Sequence, residues 1–255
     1  MAINIRHNLD DLARMLNDVQ RRQVPFAASV ALNKTAEKIK IAAVHEMRDV
    51  FDRPTEFTLK KGVYIKRSTK SNLVAEIGLE TFAGKGIPAS KYLAAQVRGG
   101  ERRLKRFERA LRSVGVLPEG MYAMPGSGAR LDYYGNMSTG QIVQILAYFK
   151  AFREGGYKAN MTEKGRKRLA NGSERKGTLG FEYFVGRPGD GKLPLGVWQR
   201  FRLGHGSAIK PVLIFVDSAR YEAIFDFGYV AEKTAQREFA SEFEQAFTAA
   251  LETAR

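Results

Sequence analysis

The most regular alternation of apolar and polar positions lies at residues 22–51, where Ala28, Leu32, Ala36, Ile39, Ala43, Met47 and Val50 recur at steps of three and four. That spacing keeps all seven on one face of a 3.6-residue helix, with Lys34, Glu37, Lys38, Lys40 and Arg48 on the opposite face. Pro25 sits in the first turn, where a missing N–H costs nothing, and Arg53-Pro54 ends the run because a residue before proline disfavours the helical region. The pattern predicts a helix of about eight turns. Its small residues, among them Ala27, Ala31 and Ala42, would let another backbone come close.

The remaining chain reads as shorter pieces. Ile5, Leu9, Leu12, Leu16 and Val19 give residues 5–20 a helical spacing. Two strands, at residues 63–66 and 73–79, flank the turn-forming Ser68-Thr69-Lys70-Ser71-Asn72 and suggest a hairpin with a basic tip. An apolar stretch at 92–97 is a short strand or helix that Gly99-Gly100 interrupts. Residues 99–176 change character, with basic runs, turn clusters, an amphipathic segment around Leu104, Phe107, Ala110 and Leu111, and a helix expected over 138–152. Within them, residues 118–136 combine glycine, proline, methionine and aromatics as an ordered but irregular loop does. Strands at 181–185 and 196–201 around Arg187-Pro188-Gly189-Asp190-Gly191 predict a second hairpin, and 211–216 a continuous apolar strand followed by Asp217 as a helix cap. In the last helix Ala235, Phe239, Phe243, Phe247 and Leu251 step by four, with Glu232, Arg237, Glu238 and Glu244 away from that ridge. Gly228 falls where this helix would kink or divide. The fold class expected is α+β: an antiparallel β-sheet packed by a long N-terminal and a long C-terminal helix, with a basic loop and helix insertion. Its boundaries are expected at 1–98 and 177–255 for the core and 99–176 for the insertion.

A chain of 255 residues with 44% hydrophobic content is large enough for a real core, and no run approaches the length of a membrane span. The N-terminus lacks the apolar block of a signal peptide, so export through a cleaved signal is not expected. Zero cysteines rule out disulfides, thiolate nucleophiles and cysteine-bound metals, which suits a reducing compartment. The net charge of +15 implies an acidic or polyanionic neighbour. Residues 98–176 alone hold 17 Lys and Arg against 7 Asp and Glu, so two-thirds of the surplus falls in less than a third of the chain.

No constellation argues for catalysis, and no cofactor is expected. His7, His45 and His205 stand far apart without a second ligand type at metal spacing. The glycines of residues 186–191 lack the helix and Lys-Ser/Thr step of a phosphate loop, so a hairpin turn is the simpler reading. Asp132, Glu182, Asp217 and Asp226 could pair as nuclease carboxylates, but nothing in the sequence brings two of them together. What remains is charge. Arg102, Arg103, Lys105 and Arg106, then Lys164, Arg166, Lys167 and Arg168, could neutralise phosphates or meet an acidic protein; a solvated surface is the plainer alternative.

The stretch from Pro25 to Ala36, containing Ala31-Leu-Asn-Lys-Thr-Ala36, resembles the opening helix of the minor tail protein Z (tail completion) family of lambda-like phages. Residues 218–227 and the helix after them resemble that family's closing section. The resemblance implies a non-enzymatic structural virion protein at the head-proximal end of the tail, assembled in host cytoplasm and needed for head–tail joining. Its partners would be the tail terminator, tube or tape-measure protein, with non-specific contact to phage DNA and no membrane. A homo-oligomeric ring would use Ala28, Leu32, Ile39, Phe239, Phe243 and Phe247 for subunit packing. The competing reading is a sequence-independent DNA-binding or DNA-end-processing protein, and a weaker one an adaptor for an acidic host protein.

Overall fold

A computed structural model describes residues 19–84, 86–152 and 160–253. The helix expected over 5–20 lies almost wholly outside them, as does His7. A π-helical turn, Val19–Gln23, leads into α1, Val24–Val50. Then come α2 (Glu56–Lys61), β1 (Val63–Lys66), β2 (Glu76–Leu79), α3 (Ala89–Tyr92), α4 (Ala94–Arg98) and β3 (Gly100–Glu101). The chain continues through α5 (Arg106–Ser113), β4 (Tyr122–Pro125), α6 (Thr139–Tyr148) and α7 (Glu163–Asn171), followed by β5 (Phe181–Gly186), β6 (Gly196–Leu203), β7 (Gly206–Val216), β8 (Arg220–Tyr221) and α8 (Phe227–Glu252). The α+β class is as expected. Two compact units divide the chain, one of residues 1–99 with 222–255 and the other of residues 100–221.

In the first unit α1 and α8 run side by side. The buried face of α1 comprises Ala27, Ala31, Thr35, Ala36, Ile39, Ala43 and Met47, with Ser29, whereas Ala28 and Leu32 are half-buried. The stripe is therefore rotated by one residue in the first half of the helix. Ala27 and Ala31 are buried, and Lys34 and Lys38, expected in solvent, reach across to α8. α8 answers with its own small side: Thr234, Ala246 and Ala250 are buried, together with Glu242. Below this pair, Ala43, Met47, Leu59, Val63, Ala89, Leu93 and Phe225 form a core in which the Phe51 and Phe225 rings meet edge to face at 5.5 Å. The β1–β2 hairpin, paired Val63 to Leu79, packs on its margin.

The second unit is built on an antiparallel sheet of order β4-β7-β6-β5. Its buried face carries Ala123, Phe181, Tyr183, Val197, Leu213 and Phe215, covered by Leu111 from α5 and by Ile145 and Leu146 from α6. This explains why the unit continues to Tyr221, where the sequence suggested a return to the core at 177. The apolar side of strands 181–216 is spent on the helices that precede them. Residues 118–136, read as an irregular loop, contain edge strand β4, whose Ala123 sits opposite Phe215. Two glycines enforce close packing elsewhere. A side chain on Gly180 would lie 2.0 Å from the carbonyl oxygen of Ala170, so the end of α7 can rest on this segment only without a Cβ. Gly172 ends α7 at φ 69°. α8 is capped not by Asp217, which lies ahead of β8, but by Asp226, whose Oδ1 accepts the Tyr229 N–H at 2.9 Å. Gly228 falls within the first turn of α8, so it neither kinks nor divides the helix.

Candidate interaction surfaces

The Ala31–Ala36 hexapeptide makes a structural joint. Asn33 spans the backbone of Ser68: its Oδ1 accepts the Ser68 N–H at 2.8 Å, and its Nδ2 donates to the Ser68 carbonyl at 3.1 Å. The Ser68 hydroxyl donates to the Ser29 carbonyl at 3.0 Å in a buried setting. One amide side chain thus stands in for a strand neighbour at the end of β1. Lys34 and Lys38 face the other way, 3.4 and 2.6 Å from the carboxylate of Glu242, and Lys38 also lies 2.6 Å from Glu238. Hydrogen bonds to Glu238 and Glu242 raise the pKa of Lys38, and the bonds from Lys38 lower both carboxyls. Ala31 and Ala36 are buried, and Leu32 is half-buried.

Of the eight basic residues singled out from sequence, Arg102 is committed inside the fold. Its guanidinium forks onto Glu108, with Nη1 2.7 Å from Oε2 and Nη2 2.5 Å from Oε1, and the Arg102 side chain is only 10% exposed. Glu108 is fully buried and also accepts the Lys105 and Ala123 backbone N–H groups, at 2.6 and 2.9 Å. Burial alone would raise this carboxyl's pKa; the four hydrogen bonds outweigh it, and the pKa falls below its ordinary value. Arg166 is half-buried, stacked 4.7 Å from the Tyr148 ring and donating to the Tyr148 carbonyl. Arg103, Lys105, Arg106, Lys164, Lys167 and Arg168 are exposed.

The residues expected to pack subunits are mixed in the same way. Ile39 is 6% exposed and belongs to the interior of its own unit, which leaves no surface for a neighbour. Ala28, Leu32, Phe243 and Phe247 are half-buried and Phe239 is exposed. The three rings stack in sequence, 6.2 and 5.9 Å between centroids, as a ridge beside the helix pair rather than within it.

The residues considered for catalysis are dispersed. Asp132 holds its own loop, accepting the N–H groups of Tyr134 and Asn136 at 2.9 Å. Glu182 pairs with Arg202 and Asp226 caps α8. His45 is exposed on α1, and His205 lies in the turn between β6 and β7. Among the described residues no group of three or more His, Asp or Glu could hold a metal ion, and no helix is long and apolar enough to cross a membrane.

A groove in the second unit escaped the sequence reading. It has a volume of about 720 Å³ and runs between α6, α7 and the start of β5, with Arg130, Arg168 and Arg175 among its lining. These arginines lie 38 and 7 residues apart in sequence. Only the fold brings them together, and no charge run marks Arg130 or its neighbourhood.

Residues 7–126 match the family model for prophage minor tail protein Z. The match takes in α1, the hexapeptide and its Ser68 partner, and the Arg102–Glu108 pair, but not residues 218–227 and the helix after them, where the sequence also suggests a likeness. No curated protein and no solved structure matches the chain. Over residues 7–126, a little under half of its length, the chain is similar to the prophage minor tail protein Z family.

Proposed function

We propose that this chain is a non-enzymatic structural component of a phage tail, acting at the head-proximal end to complete the tail for joining to the head. The observation that carries the reading is the family match over residues 7–126, whose hexapeptide is used as an architectural joint rather than as a reactive centre. Function then lies in shape, charge and interfaces with other tail proteins. The exposed cations Arg103, Lys105, Arg106, Lys164, Lys167 and Arg168, the exposed Phe239 and the half-buried Leu32, Phe243 and Phe247 support such a role, since all are accessible to a neighbour. Assembly as copies around a channel would repeat the positive charge toward DNA passing through it, without reading base sequence. The DNA-processing alternative has no observation in its favour: its candidate carboxylates are separately engaged or apart.

The direct test is complementation. Lysates of a phage lacking this chain are supplied with purified protein and with purified heads. Restored formation of infectious particles from preassembled tails is the expected result. Tails that already join heads in its absence would place the role elsewhere.

A further inference from the structure

The geometry points to the groove of the second unit as a docking site for an acidic polypeptide segment that also carries apolar side chains, contributed by a different protein. The groove's lining includes Arg130, Arg168 and Arg175 and no carboxylate. Each of the three is exposed and forms no ion pair among the described residues. Yet the positions are built. Gln141, 2% exposed, accepts the Arg130 backbone N–H at 2.6 Å and donates to the Gly128 carbonyl at 3.0 Å, which fixes where Arg130 leaves the chain. Arg168 stands on α7, whose last turn is seated against Gly180. Arg175 projects from a short turn closed by paired backbone hydrogen bonds between Ser173 and Thr178, at 2.9 and 3.0 Å. The three arginines leave the backbone at positions fixed by separate supports around one concavity, so no rearrangement of the chain is needed to present them to one ligand.

The occupant's class follows from what lies between the arginines. Met161 and Leu169 are half-buried, and Leu179 stands 66% exposed at the rim. Phosphates need no apolar floor, and a base would need an open ring to stack on, whereas Phe181 at the bottom is 8% exposed. Carboxylates at the rim with aliphatic side chains between them satisfy both halves of the lining. A second copy of this strongly basic chain is the poorer match on charge. The proposal concerns the groove alone and stands or falls separately from the position of the chain in the virion.

The test uses the full-length protein and three fluorescent probes: a synthetic peptide alternating Glu with Leu and Phe, a peptide of equal charge alternating Glu with Ser, and a short DNA duplex. The Glu/Leu/Phe peptide is expected to bind at least about tenfold more tightly than the Glu/Ser peptide, and Arg168→Glu with Arg175→Glu to remove about tenfold or more of its affinity. Arg103→Glu with Arg106→Glu, before and at the start of α5, should leave it unchanged. Leu179→Ser, an uncharged rim change that leaves the core intact, should weaken the first peptide and spare the second. Equal binding of the two peptides, or insensitivity to both groove variants in protein with unaltered circular dichroism, overturns the proposal. So does loss of duplex binding in the groove variants with no peptide binding in the parent.

Discussion

Asn33 shows how a single side chain fixes a fold. An amide that satisfies both the N–H and the C=O of Ser68 holds the end of β1 against α1. Asn33→Ala leaves those two groups without partners in a partly buried setting, and a loss of about 1–3 kcal/mol in chemical denaturation is expected. Asn33→Asp can accept but not donate, and should retain part of the stability. Glu108 is the counterpart in the second unit. Its depressed folded-state pKa means that its contribution is complete above its unfolded value, near 4, and is lost as pH falls through the folded value. Acid titration followed by near-ultraviolet circular dichroism should show tertiary structure failing in this range, with Glu108→Gln flattening the transition. Glu108→Ala, which strands the Arg102 guanidinium, should cost about 3–5 kcal/mol at neutral pH. Neither role is legible in sequence. Arg102 reads as one of a basic run, and only the burial of Glu108 beside the Lys105 and Ala123 amides removes it from the surface.

At the scale of elements, periodicity located α1 well because a continuous apolar stripe marks a helix whatever it packs against. It was less able to say which flank faces the partner. α1 packs along α8, Ala27 and Ala31 are buried, and the lysines at positions 34 and 38 reach Glu238 and Glu242 on α8. Lys38→Glu places a third carboxylate beside two others, so its denaturation midpoint should fall, and adding Glu242→Lys should recover part of the loss. The aromatic ridge of α8 misled for a related reason: four-residue spacing shows that Phe239, Phe243 and Phe247 share a face, but alanines permit the closer helix contact and take the interior. β4 escaped notice because an edge strand of four residues, flanked by glycine and proline, has too few positions to show alternation. Strands β5, β6 and β7 were visible because they are longer and rich in β-branched and aromatic residues. Gly180→Ala is expected to push the end of α7 away from β5, which amide exchange at residues 168–172 would report as lost protection.

For the whole molecule, composition announced an acidic partner but not the place where one would sit. The charge surplus lies largely within residues 98–176, and the structure divides it into an internal ion pair, exposed cations on α5 and α7, and a groove assembled from three separated arginines. The similarity of residues 7–126 to the prophage minor tail protein Z family carries the proposal of a protein that works by position. The measurement bearing most directly on that claim is cryo-electron microscopy of the intact particle at a resolution that identifies side chains. The account predicts density for this chain at the head-proximal end of the tail, with α1 and α8 paired as described and Arg103, Lys105 and Arg106 facing a neighbour or the channel. Finished, infectious particles that contain no copy of the chain would contradict it.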